Sequence, residues 1–200
     1  FFRLFLFLNS SRFFPLNLYH LSNASSFPFP VRLLWHLLDT VGPFPHTRID
    51  RLLEKEEPDV ILTHNLKGLG VRAARCVQNA GIRHIHTLHD LQLSIPSGLM
   101  IYGKEGGFLN QGWPRRLYER LTMRAIGSPD VVISPSQFLA DFYTDRGFFS
   151  KTAVRILPNP APKSLSVIAP SPPFPSGPTR FLFVGQLEEH KGIRLLLEAT

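Results

Sequence analysis

The chain has 200 residues, of which 44% are hydrophobic and 18% are charged, so it can bury a core and is not a disordered polypeptide. Its one cysteine, Cys76, excludes a disulfide framework and a thiolate-bound zinc, and makes the cytoplasm the default location. The formal net charge of +7 favours an anionic partner, but the basic residues do not interleave with aromatic ones as in nucleic-acid-binding modules.

The first 45 residues are rich in phenylalanine and proline and show little periodicity. Residues 1–8 (FFRLFLFL) form an apolar run that is too short to span a bilayer and lacks an initiator methionine or a following cleavage site. We interpret them as the interior of a longer gene product. One short helix is predicted in this stretch, over residues 31–38.

From residue 47 onward, short apolar runs alternate with helical patterns. The run DVILT (59–63) is β-branched and does not alternate, as a parallel strand covered on both faces requires. Ser134-Pro135-Ser136-Gln137 has the pattern of a capping box that begins a helix at its proline. Strands are predicted at 59–63, 83–88, 130–133, 153–157 and 180–184, and helices at 48–57, 69–79, 114–126, 135–147 and after 185.

Two of these helices have a recognisable apolar side. Leu117, Leu121 and Ala125 recur at a spacing of four in helix 114–126. Helix 135–147 is expected to bury Phe138, Leu139 and Phe142. Residues 158–178 contain eight prolines and no acidic residue, which is typical of an extended linker.

Strand and helix alternate four times before this linker, which predicts an α/β fold with a parallel sheet and right-handed crossovers. After the linker, one strand and one helix begin a second unit of the same kind. We therefore divide the chain into a first domain at 1–160, a linker at 161–179 and the start of a second domain at 180–200.

In open parallel sheets, ligands bind beyond the carboxyl ends of the strands. With Asp90 beside it to orient the imidazole, His89 can hydrogen-bond a sugar hydroxyl or a phosphate; a structural histidine is the alternative. The candidate residues on this edge are His64 and Asn65 after the first strand, His89 and Asp90 after the second, Ser134 and Ser136 after the third, Pro158 and Asn159 after the fourth, and Gly185 to Gly192 after the fifth.

The turn from Gly185 to Gly192 joins the fifth strand to a helix. Its two glycines let the backbone approach a ligand, and the first amides of the helix can donate to an anion. Lys191 adds positive charge where a departing diphosphate would need it. An ordinary turn with a solvated lysine is the alternative.

The segment His84 to Asp90 (HIHTLHD) is close to the HxHxDH cluster of metal-dependent hydrolases. Leu88 stands where that cluster has a carboxylate, so the match is poor. On a strand, His84 and His86 share a face while His89 points elsewhere, which favours a structural or solvent-facing role for the first two. We predict no metal and keep the hydrolase as a weaker alternative.

Helix 114–126 carries several arginines, which form either a solvated face or a contact with anionic lipid. They are Arg115, Arg116, Arg120 and Arg124.

Five segments together resemble the family 4 glycosyltransferases, whose GT-B fold has two Rossmann-like domains. The resemblance covers about the last three quarters of the chain, in the order and spacing of the family. The matching segments are EPDVILTHN (57–65), AGIRHIHTLHDLQ (80–92), SPDVVISPSQFLADFYTDRGF (128–148), VRILPNP (154–160) and FLFVGQLEEHKGIRLLLEA (181–199).

The resemblance implies transfer of a sugar from a nucleotide-diphosphate donor to an acceptor hydroxyl, with retention and without a metal or other cofactor. The first domain would hold the acceptor, and His89 would lie against the donor sugar. Lys191 would hold the donor diphosphate, with Gln186 standing where many members have an arginine.

On the same resemblance, the chain is expected to be a fragment, inactive alone, that lacks the Gly-rich loop and the glutamate pair of the family. The expected partners are a nucleotide-sugar and a saccharide or lipid-linked acceptor of the cell envelope. From the positive charge and the early aromatic residues, rather than from the resemblance, we also expect peripheral contact with the inner face of an anionic membrane. A non-catalytic α/β binding module is the alternative from another class.

Overall fold

The computed structural model of the chain describes residues 27–42, 46–98, 100, 112–160, 177, 180–185, 187 and 191–199. In this part of the chain, strands and helices follow one another in the predicted alternation. The strands are β1 (Val60–His64), β2 (Arg83–Thr87), β3 (Val131–Ser134) and β4 (Ala153–Ile156). The helices are α1 (Phe29–Val41), α2 (His46–Glu56), α3 (Ala73–Asn79), α4 (Gly112–Ile126), α5 (Gln137–Thr144) and α6 (Ile193–Ala199).

The four strands form a parallel sheet in the order β1-β2-β3-β4. Thr63 lies opposite His86, which in turn lies opposite Val132. Because every strand runs in the same direction, all four carboxyl ends lie on one edge of the sheet. The predicted parallel α/β fold is confirmed, and the segments that follow β1, β2 and β3 all begin at that edge.

The core lies on one face of this sheet. Val132 is fully buried there, in a cluster with apolar residues of α3, α4 and α5. On the opposite face Leu62 is 50% exposed, so the described part of the chain does not cover β1 on both sides as DVILT led us to expect. An apolar, β-branched run indicates a strand, but it does not show whether one or both faces of that strand are covered by other elements.

Helix α4 buries Ala125 of the predicted apolar side, but it turns Leu117 outward and buries a glutamate. Leu117 is 48% exposed, whereas Glu119 is 6% exposed. The Glu119 carboxylate accepts a hydrogen bond from Ser94 Oγ at 2.6 Å and forms ion pairs with Arg115 and Arg146 at 3.3 and 3.6 Å. A buried charge is tolerated when it is paired in this way, and spacing of apolar residues alone cannot reveal it.

The cap of α5 lies two residues later than the capping-box pattern predicted. The Ser136 side chain accepts from the Leu139 amide at 3.3 Å, while the Ser134 hydroxyl donates to the Ser136 carbonyl at 2.8 Å. Strand β3 extends through Ser134, so Ser136 is the first residue that can end the extended chain and cap a helix. Leu139 and Phe142 are buried as predicted, but Phe138 is 68% exposed.

The start of the predicted second domain is only partly described. Helix α6 confirms the predicted helix, but residues 180–184 belong to no strand of the described sheet. A strand is defined by its pairing, and these residues have no neighbour in the described part of the chain. Most of the predicted linker, including residues 161–176, lies outside the described residues. None of the helices in the described ranges is long and apolar enough to cross a membrane.

Candidate functional site

A pocket opens at the carboxyl ends of β1 and β2. It encloses about 40 Å³ and is otherwise partly open to solvent. Its walls come from α1, the turns after β1 and β2, α4 and α5. The polar side chains that line it belong to His36, Asp39, Thr40, Asn65, Lys67, His86, Thr87, His89, Asp90, Gln92, Tyr118 and Tyr143.

His89 enters this pocket from the end of β2 and is hydrogen-bonded to His64 at the end of β1. The His64 Nδ1 and His89 Nε2 atoms are 2.8 Å apart, and the ring centroids are 5.1 Å apart. One of the two nitrogens must carry the shared proton while the other accepts it. Partial burial, and then the neighbouring His89, lower the pKa of His64. The neutral form of His64 is therefore favoured, while both side chains remain exposed.

Asp90 does not orient His89, contrary to expectation. Its carboxylate accepts from the Gln92 amide at 2.9 Å and from the Gln92 side chain. Its carbonyl accepts from the Tyr143 hydroxyl at 2.8 Å. An aspartate whose carboxylate accepts from the backbone amide two residues later stabilises a turn, and Asp90 does this for the loop after β2. His89 is oriented by His64 instead.

Asn65 and Lys67 form the turn that follows β1. Asn65 has a φ of +24°, and its side-chain oxygen accepts from the Lys67 amide at 3.2 Å. The Lys67 ammonium donates to the Pro96 carbonyl at 3.3 Å. Burial lowers the pKa of Lys67, although Asp90 and Asp39 act in the opposite direction. Lys67 is thus a partly desolvated cation inside the pocket.

Helix α1 contributes pocket residues that the sequence-based candidates did not include. Asp39 is 7% exposed and accepts from the Gly68 amide at 2.9 Å. Burial raises the pKa of Asp39 to about 6, against the opposing effects of that hydrogen bond and of Lys67. Burial, and then Lys67 and Arg32, lower the pKa of His36 to about 4. The available signal was that Asp39 is the one acidic residue in the first 45.

The remaining candidate residues do not line this pocket. Ser134 and Ser136 are engaged in the turn and cap at the start of α5. Gly185, Lys191 and Gly192 are described but are not among the lining residues. Gln186 lies outside the described residues.

His84 and His86 are buried inside the sheet, with exposures of 0% and 4%. The Thr63 hydroxyl is 2.8 Å from the Nε2 atom of His84 and 2.8 Å from the Nδ1 atom of His86. The sheet face that carries them is therefore buried rather than solvent-facing, and His86 also borders the pocket. In the described ranges no three His, Cys, Asp or Glu side chains are grouped so that they could hold a metal ion.

Comparisons with known proteins point to one family. The family model described as Glycosyltransferase Family 4 matches residues 12–164. A protein of Klebsiella pneumoniae, described as an uncharacterized 42.6 kDa protein in the cps region, is 24% identical over 162 residues. These residues make up 80% of this chain and 42% of that protein, so the chain spans less than half of this relative. No solved structure matches the chain significantly.

Proposed function

The chain belongs to glycosyltransferase family 4, and from that premise we propose that it forms part of an enzyme that transfers a sugar from a nucleotide-diphosphate donor to an acceptor hydroxyl. The acceptor is a saccharide or lipid-linked saccharide of the cell envelope. The relative from a cps region supports this choice. The transfer retains the anomeric configuration and needs no metal.

The observation that carries this proposal is the His64–His89 pair at the mouth of the pocket. Because His64 fixes the imidazole of His89, that ring is pre-oriented toward whatever enters. A histidine held in this way can donate to or accept from sugar hydroxyls. Lys67 and Asn65 next to the pair supply further polar contacts for an acceptor, so this side of the pocket suits a polar, hydroxyl-rich ligand.

The donor side belongs to the turn that precedes α6. Gly192 has a φ of +76°, which favours glycine, and Lys191 is exposed beside it. An exposed ammonium next to helix amides can bind a diphosphate and stabilise the charge that grows on it as the sugar leaves. Gly185 and Gln186 complete this proposed donor site, with Gln186 as an uncharged donor.

The test is release of nucleotide diphosphate by the full-length protein from a panel of nucleotide-sugars, with polysaccharide and lipid-linked acceptors. Turnover with one donor is the expected result. Lys191→Ala should lower the affinity for that donor about tenfold, since a hydrogen bond to a charged group is lost. Arg194→Ala, at the start of α6, is the matched control and should leave the affinity unchanged. No turnover with any donor would favour a non-catalytic binding module.

The exposed side of α4 is the membrane contact of this proposal, at the cytoplasmic face. Trp113 and Leu117 are 68% and 48% exposed, and a helical spacing of three or four residues places arginines beside them. An aromatic and an aliphatic residue among arginines suit the interface of an anionic bilayer. The exposed arginines of this side are Arg116, Arg120 and Arg124.

Vesicle flotation tests this contact. The protein should bind vesicles that contain phosphatidylglycerol and should not bind pure phosphatidylcholine. Arg116→Glu with Arg120→Glu should weaken binding about 10- to 100-fold, because each basic residue near the surface contributes on the order of 1 kcal/mol. Arg51→Glu with Arg83→Glu makes the same charge change elsewhere on the exposed surface. Equal losses in both variants would argue against a contact through α4.

A further inference from the structure

The amide of Gln78 has one orientation, which its backbone partners set. Its Nε2 atom donates to the Ile126 carbonyl at 2.8 Å, and its Oε1 atom accepts from the Ser128 amide at 3.1 Å. Gly127, between these two residues, has a φ of +68°, and a Cβ atom there would overlap Gln78 Oε1. Because a carbonyl can only accept and an amide can only donate, the nitrogen of Gln78 cannot be exchanged with its oxygen.

The second hydrogen of the Gln78 amide fixes the proton of His84. Gln78 Nε2 lies 3.1 Å from His84 Nδ1, which must therefore accept and carry no proton. A neutral imidazole then has its proton on Nε2. That atom is 2.8 Å from the Thr63 hydroxyl oxygen, so His84 donates to Thr63.

The Thr63 hydroxyl in turn determines which nitrogen of His86 carries the proton. Having accepted from His84, it has one hydrogen to donate, and its two candidate acceptors are His86 Nδ1 at 2.8 Å and the Ile85 carbonyl at 3.5 Å. The second distance is beyond the normal range for a hydroxyl donor, so the shorter contact takes the hydrogen. His86 Nδ1 thus accepts, and the proton of His86 is on Nε2.

His86 is 96% buried yet belongs to the wall of the pocket, beside His89. Its Nε2 atom takes part in none of the hydrogen bonds among the described residues. A ring donor in a pocket wall that has no partner in the described part of the chain is available to a ligand or water.

We propose that His86 is a ligand-binding residue of the pocket, which presents an Nε2–H donor to an oxygen of the acceptor saccharide, and that Gln78, His84 and Thr63 are positioning residues that fix its tautomer. The identity of the ligand as a saccharide rests on the proposed function, but the tautomer does not. Burial, then the charges of His84, His64 and His89, lower the pKa of His86 to about 3, so the donor is neutral throughout the working pH range.

The tautomer is measured by long-range ¹H–¹⁵N correlation spectra of the histidine rings in the ligand-free protein. We expect both His84 and His86 to carry their proton on Nε2. Thr63→Val removes the hydroxyl with little change of volume and should leave His86 as a mixture of tautomers. Thr63→Ser keeps the hydroxyl and should restore the wild-type spectrum. Thr87→Val, on the opposite face of the sheet, is the control that should change neither ring.

A proton on His86 Nδ1 in the wild-type protein would overturn the proposal. It would mean that Thr63 accepts from both histidines and donates to Ile85, so that His86 offers the pocket an acceptor instead of a donor. An unchanged His86 tautomer in Thr63→Val would show that the relay does not set it, which also contradicts the proposal. Both results are obtained without any substrate.

The contact with ligand is measured in the transfer assay of the full-length protein. Thr63→Val should raise KM for the acceptor about twofold with little change in kcat, because a ring that holds its proton on Nε2 about half of the time binds in proportion to that fraction. Thr63→Ser should behave as wild type. An unchanged KM in Thr63→Val alongside mixed tautomers would exclude the ligand contact. Absence of transfer by the wild-type protein would overturn the proposed function while leaving the tautomer result intact.

Discussion

Two pairs of histidines on β1 and β2 show how position along a strand decides what a side chain does. The buried pair, His84 and His86, lies within β2 and is joined through the Thr63 hydroxyl, with atom distances of 2.8 Å. The strand-end pair, His64 and His89, is joined directly, also at 2.8 Å, but its rings are exposed. Equal contact distances thus accompany different environments, and only the strand-end pair is reached by solvent on both rings.

The comparison teaches that burial, rather than hydrogen bonding, decides how much a histidine contributes to stability. We expect changes in the buried pair to act mainly on the free energy of unfolding, with His86 also affecting acceptor binding as proposed above. Changes in the strand-end pair should act on sugar transfer. The following experiments test that separation, beginning with the largest expected effect.

His84→Ala should lower the free energy of unfolding by about 3 kcal/mol. The change leaves a cavity and removes one hydrogen-bond partner from each of Gln78 and Thr63. Urea denaturation at pH 7 measures the loss. His89→Ala, an exposed residue of the same strand region, is the control and should stay within about 0.5 kcal/mol of wild type. Similar losses in both variants would erase the distinction between the pairs.

His89→Ala should reduce kcat/KM for sugar transfer about 100-fold in the full-length protein, the size of effect seen when one pre-oriented donor to a reacting group is removed. His89→Gln keeps a donor and should recover part of the rate. The measurement is nucleotide release under the conditions that give wild-type turnover. A rate within threefold of wild type, roughly what a surface hydrogen bond contributes, would remove His89 from the proposed machinery.

Acid should destabilise the protein through the buried pair. Burial is the main cause that lowers the pKa of His84 to about 4 and of His86 to about 3, from an ordinary value of 6.5. Below pH 6.5 the unfolded chain therefore takes up protons that the folded chain does not, and the free energy of unfolding falls as the pH drops. From these two shifts we expect a loss on the order of 5 kcal/mol between pH 7 and 4.5.

Asp39 opposes this loss, because its pKa is raised from 3.8 to about 6 and its ionised form is the unfavourable one in the fold. Acidification through pH 6 neutralises it and recovers stability. Asp39→Asn should consequently steepen the fall between pH 7 and 4.5, as measured by urea denaturation at each pH. A free energy of unfolding that rises toward pH 4.5 in wild type would contradict the buried state of His84 and His86.

His64→Ala should have the smallest effect on stability, within about 0.5 kcal/mol, since the hydrogen bond it removes is exposed. Transfer should nevertheless fall about 2- to 12-fold, because His89 loses the group that orients it. The two measurements on one variant sharpen the comparison. A large loss of stability with an unchanged rate would place the strand-end pair in the same class as the buried pair.

Much of the fold could be predicted because each strand of the sheet is a short segment rich in β-branched residues. Each predicted strand of the sheet was found within about two residues of its bounds. The rule that parallel strands share a carboxyl edge then brought His64, Asn65, His89 and Asp90 to one place, and the last three line the pocket. In a parallel sheet, residues that follow the strands lie on the same edge. This part of the site can therefore be predicted without knowing any side-chain contact.

The rest of the site depends on contacts that no local pattern encodes. Asp39 reaches the pocket from α1, and its partner Gly68 is 29 residues away. The pairing of His89 with His64 rather than Asp90 is a matter of rotamers at strand ends. The predicted buried side of α4 was right for Ala125 and wrong for Leu117 for a related reason, because Glu119 is buried with partners from three different segments.

Gly127 has a consequence for which residues should vary together among homologues. A side chain at this position would displace the amide of Gln78, and with it the first hydrogen bond that reaches His84. Residues 127 and 78 therefore cannot drift independently in descendants that keep both histidines. We expect homologues to retain the glycine, the glutamine and the histidine pair together or to have lost them together, so that covariation among the four positions records whether the relay was under selection.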